Sequence, residues 1–175
     1  MRSMSFKSPI LLPIFAVFSL HWSSVYSSSA DMQMDYAPIL ERCCGIDEPS
    51  IFENCGPEYS AVRVTEGEGG YPVALIRVES QRDSAHLTSK LFDNYDDLPV
   101  IVETDISDSE WMTLVELLET SGFWTFDKRH TSWRPGAPSL WVEACVDGQF
   151  RSIYIYPDLD SQLAEVVDFL VKLRN

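Results

Sequence analysis

This sequence has few histidines, few bases and no apolar run of membrane-spanning length, and each shortage narrows what the chain does. It holds three histidines, His21, His86 and His130. It contains no GxSxG, HExxH, P-loop or GxGxxG pattern, so nothing in it reads as a familiar nucleophile, zinc-protease or nucleotide motif. Lysine and arginine total 13 against 27 aspartates and glutamates, a formal charge of −14. That balance disfavours nucleic acid and anionic lipid as partners and favours a basic one. The four cysteines, Cys43, Cys44, Cys55 and Cys145, form no CxxC pair, which argues against both a zinc site and a dithiol redox motif. No internal repeat is visible. No cofactor is expected.

The longest apolar stretch, Ile10 to Leu20, is interrupted by Pro13 and is preceded by Arg2 and Lys7. It spans about half of the ~20 residues that a membrane helix needs. With Ser28 and Ala30 behind it, the stretch reads as a secretory signal peptide cleaved after Ala30, or after Ser27. Removal of residues 1–30 takes away Arg2 and Lys7 and no acid, which moves the formal charge from −14 to −16. The expected product is periplasmic or secreted, has no stable membrane insertion, and divides into a disulfide-tethered segment, 31–59, and one domain, 60–175.

In an oxidising compartment an even set of four cysteines predicts two disulfides. Adjacent Cys43 and Cys44 offer poor geometry for a bond to each other. The expected pairing therefore joins one of them to Cys55 and the other to Cys145.

From Ser60 onward, AVRVTE, PVALIRVES, AHLTSKLF and PVIVETD read as strands separated by short polar turns. The segment from Ile106 to Trp124, ISDSEWMTLVELLETSGFW, follows as the clearest helix. Ser107 and Glu110 form a capping box, Ile106 and Trp111 stand at the staple positions, Leu114, Val115, Leu117 and Leu118 mark an apolar face, and Gly122 sits where a left-handed cap belongs. SLWVEACV and QFRSIYIY flank Asp147 and Gly148, a two-residue hairpin signal. A second amphipathic helix runs from Leu159 to Leu173, entered through Pro157 and Asp158, with Lys172 and Arg174 in its last turn. The expected fold is α+β, an antiparallel β-meander of about six strands with two α-helices packed on one face, in the order ββββ-α-ββ-α.

Candidate binding residues cluster in the loop DKRHTSWRPG. Lys128, Arg129, His130 and Arg134 are its bases and Trp133 is the expected anchor, a set suited to an acidic group on a partner. Asp93 to Asp97 gathers oxygen ligands, but lacks the spacing, glycine and distal glutamate of a calcium loop and reads as a turn. Glu66 with Glu68, and Glu103 with Asp105, invite a glycosidase reading that only their separation in space decides. No metal site is expected.

ISDSEWMTLVELLETSGFW and SLWVEACVDGQFRSIYIYP carry a likeness through Trp111, Gly122, Phe123, Trp124, Trp141, Glu143, Asp147 and Gly148. Over residues from Tyr71 to Leu173, the chain resembles a broad group of small exported bacterial domains of unknown function. Those domains share an amphipathic helix ending in GFW, a W-x-E strand, a D-G hairpin and a closing helix. The likeness implies the fold and export, and supplies no active site.

The expectation for function is an exported, non-catalytic protein-binding domain, an inhibitor or immunity protein that neutralises a basic toxin or hydrolase in the periplasm. Two alternatives stay open: a small hydrolase using His86 or His130 with nearby acids, and an envelope interaction module docking through Trp124 and Trp133.

Overall fold

Six stretches with alternating side-chain character build one antiparallel sheet. The computed structural model describes residues 35–68, 71–81, 84–92, 98–126, 137–156 and 163–175, with the side chains of Cys43 and Cys44 outside this set. The strands are β1 (Ser60–Glu68), β2 (Tyr71–Gln81), β3 (Ser84–Leu91), β4 (Val100–Ile106), β5 (Ser139–Val146) and β6 (Gln149–Ile155), in the spatial order β4-β3-β2-β1-β5-β6. The β5–β6 turn is the expected one: Asp147 and Gly148 both take positive φ, 51° and 76°, as a type I′ turn requires.

Because side chains alternate across a strand, the sheet has two distinct faces. One carries Val62, Val64, Ile76, Val78, Leu87, Val142, Ala144 and Ile153 and forms the main core. Helix α3 (Asp108–Thr120) lays Leu114 and Leu118 on it, and α4 (Ala164–Arg174) adds Val166 and Leu170. The start of α3 is fixed as its sequence dictates: the Ser107 side chain accepts from the Glu110 amide at 3.3 Å, while Glu110 accepts from the Ser107 amide at 2.7 Å. Its end is set by Gly122 at φ 71°, after which a short 3₁₀ turn, Phe123–Thr125, drops Phe123 into the core. Arg151 reaches this turn from β6, donating to the Trp124 carbonyl at 2.5 Å and to the Phe126 carbonyl.

Among the described residues four α-helices are present where two were expected. The additional pair, α1 (Ala37–Cys44) and α2 (Ile51–Asn54), precedes β1, so the order is α-α-β-β-β-β-α-β-β-α. Both are short and precede the strongly patterned part of the chain, where the cysteines suggested a tethered loop. In fact residues 35–59 pack on the second face of the sheet: Leu40 and Ile51 are fully buried, and Tyr36 stacks on Trp141 with ring centroids 4.1 Å apart. The meander expectation holds for β1 to β4 alone. The connection from β4 to β5 is long enough to carry α3 across the sheet, and it returns the β5–β6 hairpin to the free side of β1.

The disulfide pairing also differs from expectation. Cys55 bonds to Cys145, with Cα atoms 5.7 Å apart, so neither is left for Cys43 or Cys44. Sheet register is the cause. Cys145 lies opposite Ala61 at the start of β1, and the Gly56–Tyr59 bridge folds Cys55 back over that same point. There the bond joins a small apolar cluster of Ile51, Ala61, Cys145 and Phe150.

Candidate functional site

The second face of the sheet divides into a covered half and an open half. Under residues 35–59 lies a set of charges on adjacent strands. Glu143 on β5 opposes Arg63 on β1, which opposes Arg77 on β2. Arg63 is fully buried and donates through Nε to Glu143 at 2.7 Å and through a terminal nitrogen to the Pro49 carbonyl at 3.0 Å. The other carboxylate oxygen of Glu143 accepts from the Tyr36 amide at 2.9 Å. Glu48 descends from the covering segment between three cations: Lys90 at 2.5 Å, Arg77, and Arg63 at 3.8 Å. Asp35 accepts from Ser50 at 2.5 Å, and Tyr59 donates to Glu79 at 2.8 Å.

Electrostatics follow from this burial. Desolvation raises the Glu143 carboxyl above its ordinary pKa, and the Arg63 guanidinium beside it pulls the other way. Burial raises the Tyr36 and Tyr59 hydroxyls too, with the Glu79 carboxylate adding to the effect on Tyr59. Each cation faces an acid, and the acids come from both the sheet and the segment above it. Chemically this is a clasp that fastens residues 35–59 to the strands.

The open half belongs to β4 and to the His86 end of β3, Lys90 at the other end being covered by Glu48. Here His86 lies between Glu79 and Asp105 in the register, and its Nδ1 stands 3.0 Å from the Asp105 carboxylate. Ile101, Glu103 and Asp105 share this face, and all three are exposed. Glu103 and Asp105 are thus neighbours on one strand face, two residues apart, and not a pair across a cleft. The strand β4 is the edge of the sheet, with no described strand on its outer side. A shallow depression of about 240 Å³ elsewhere on the surface is lined by Pro57, Glu58, Ser60 and Ser80.

Charge is distributed unevenly between interior and surface. Among the described lysines and arginines, Arg63, Arg77, Lys90 and Arg151 turn inward, Arg174 is half-buried at the end of α4, and Arg42 and Lys172 are exposed. Exposed acids, by contrast, occur on α1, α2, β1, β4, α3 and α4, among them Glu41, Glu53, Glu66, Glu103, Asp105, Asp108, Glu116, Glu119, Glu165 and Asp168.

Of the residues singled out from sequence, Lys128, Arg129, His130, Trp133 and Arg134 lie outside the described residues, as does the Asp93 to Asp97 turn. His86 is placed on the open face; Trp124 is half-buried against the core. The clasp was missed, although it leaves a trace in VRV (62–64), IRV (76–78) and VEA (142–144). A single charge between apolar residues is also what a strand with one solvated face shows, so this trace alone does not announce the layer above it. Among the described residues no group of three or more His, Cys, Asp or Glu side chains is placed to hold a metal ion, and no helix is long and apolar enough to cross a membrane. The chain matches no protein-family model and no curated protein at a significant level.

Proposed function

We propose that this protein is an exported, non-catalytic binding domain that captures a basic protein, acting as an inhibitor or immunity protein against a basic toxin or hydrolase in the periplasm. The observation that carries the reading is the surface charge: four of the seven described lysines and arginines turn inward, while ten or more acids on six elements face solvent. Such a surface steers a cationic partner into encounter and discriminates against acidic ones. The N-terminal pattern of Arg2, Lys7 and the apolar run supports export, as does the likeness to small exported bacterial domains. The deciding experiment is a pull-down from envelope fractions at low and at high salt. A basic protein retained at low salt and released at high salt is the expected result. Retention that is indifferent to salt refutes electrostatic capture.

A second reading, a small hydrolase, draws on the His86–Asp105 contact of 3.0 Å, since a carboxylate beside an imidazole is one part of a general-base arrangement. Its test is hydrolysis across an ester, peptide and glycoside panel: activity lost in His86→Ala supports it, and activity that survives the substitution removes His86 as the base.

A further inference from the structure

We infer that the outer edge of β4 is where the partner docks, by adding an extended, basic segment of its own as a seventh strand. This rests on the proposed capture of a basic protein and names the surface that performs it.

The two edges of the sheet are unlike. In β6, Phe150, Ser152, Ile153 and Ile155 are buried, whereas β4 exposes every residue from Val100 to Asp105 except the half-buried Val102. Exposure is 55% at Val100, 54% at Ile101 and 93% at neighbouring Leu98, an apolar surface beside a backbone ladder that no described strand pairs with. Edge strands are templates for another strand, and they are normally blunted by lysine, proline or a bulge. The sequence VIVETDI of β4 contains no lysine, arginine, glycine or proline, and its pairing with β3 runs without a bulge. Its safeguard is acidic: Glu103 and Asp105 project from the open face.

That choice of charge selects the occupant. If two copies paired edge to edge in the antiparallel register of fullest overlap, centred on Glu103, each Glu103 would face its own counterpart, and like charges directly opposite are destabilising. A strand with lysine or arginine at alternate positions instead sets cations against Glu103 and Asp105, while its intervening apolar residues line up with Val100 and Val102. Backbone hydrogen bonds then supply affinity that does not depend on charge. Sheet addition therefore predicts a directional contact where diffuse acidity predicts none.

The test uses the purified protein and a fluorescent probe peptide of alternating lysine and valine, with two control peptides of the same sequence N-methylated at alternate residues, odd positions in one and even in the other. Only one edge of an added strand faces β4. One control should therefore bind at least tenfold more weakly than the parent and the other should match it, and Glu103→Lys with Asp105→Lys should weaken the parent at least tenfold. Hydrogen exchange should slow at alternate amides between Val100 and Ile106 on binding. If all three peptides bind equally and salt releases them, charge capture stands and the edge proposal falls. If no peptide binds at low salt, the edge proposal falls and the basic-partner reading weakens with it. Unequal binding of the controls that salt does not relieve would support the edge while refuting electrostatic capture.

Discussion

Replacing Arg63 with methionine keeps much of its volume and removes its charge, and the consequences can be worked from its surroundings. Arg63 and Glu143 are fully buried, and Glu48 is nearly so. In the variant Glu143 keeps the Tyr36 amide and loses its cation, whereas Glu48 retains Lys90 and Arg77. Breaking a buried ion pair from one side costs about 3–5 kcal/mol, a large part of the ~5–15 kcal/mol that holds a domain folded. Urea denaturation followed by tryptophan fluorescence measures this as a lowered midpoint with the slope unchanged. The double substitution Arg63→Met with Glu143→Met, which removes the orphaned charge, should recover most of the loss. The pH dependence adds an independent check. Glu143 is raised above its ordinary pKa by burial, so the folded state holds its proton more tightly than the unfolded chain does; its contribution to stability is full below the ordinary glutamate range and is lost as pH rises through the folded value. Without Arg63, the main group pulling that value down, the loss should be larger at pH 8 than at pH 4.5. A destabilisation below about 1 kcal/mol that is equal at both pH values would refute the clasp, because a strained or water-filled pocket would not discriminate this way.

Other expectations can be checked with the same assays. Reducing Cys55–Cys145, which closes a separation of 90 residues, should cost about 4.5 kcal/mol in the chain-entropy model, read as a lowered urea midpoint in dithiothreitol. Ser107→Ala removes the side-chain half of the capping box and should cost about 1 kcal/mol by thermal denaturation. Leu118→Ala, at a fully buried position on α3, should cost about 2–5 kcal/mol and leave peptide binding at the β4 edge intact when measured well below its melting temperature.

Local signals were legible wherever one short stretch fixes the outcome. The six strands, the capped start of α3, the left-handed Gly122 and the Asp147–Gly148 turn each follow from residues within a few positions of one another. What failed needs two distant parts of the chain at once. Cys145 is matched to Cys55 by the β1–β5 register, which no local pattern encodes, and the adjacency of Cys43 and Cys44 drew attention to the wrong partners. The helices α1 and α2 are too short to show a repeating stripe, and their apolar residues gain meaning only from the face they cover. The charges of the clasp resembled outward-facing strand residues, since alternation alone does not say whether a second layer lies above the sheet. At the surface, the acidic excess was readable from composition. Which of those acids lie along an edge depends on which strand ends the sheet, a property of topology.

The bond between Cys55 and Cys145 carries a consequence for how the chain matures. Three cysteines, at 43, 44 and 55, emerge close together during synthesis, and the native partner of Cys55 follows 90 residues later. Wherever thiols are oxidised as the chain emerges, the early cysteines meet each other first, because short loops close more readily than long ones. Any bond that Cys55 makes in that interval must be undone by thiolate exchange before β5 can deliver Cys145. In such a compartment maturation should be limited by reshuffling, on a scale of seconds to hours set by oxidant and isomerase, and the yield of native protein should depend on disulfide isomerase supply more steeply than on the rate of translation.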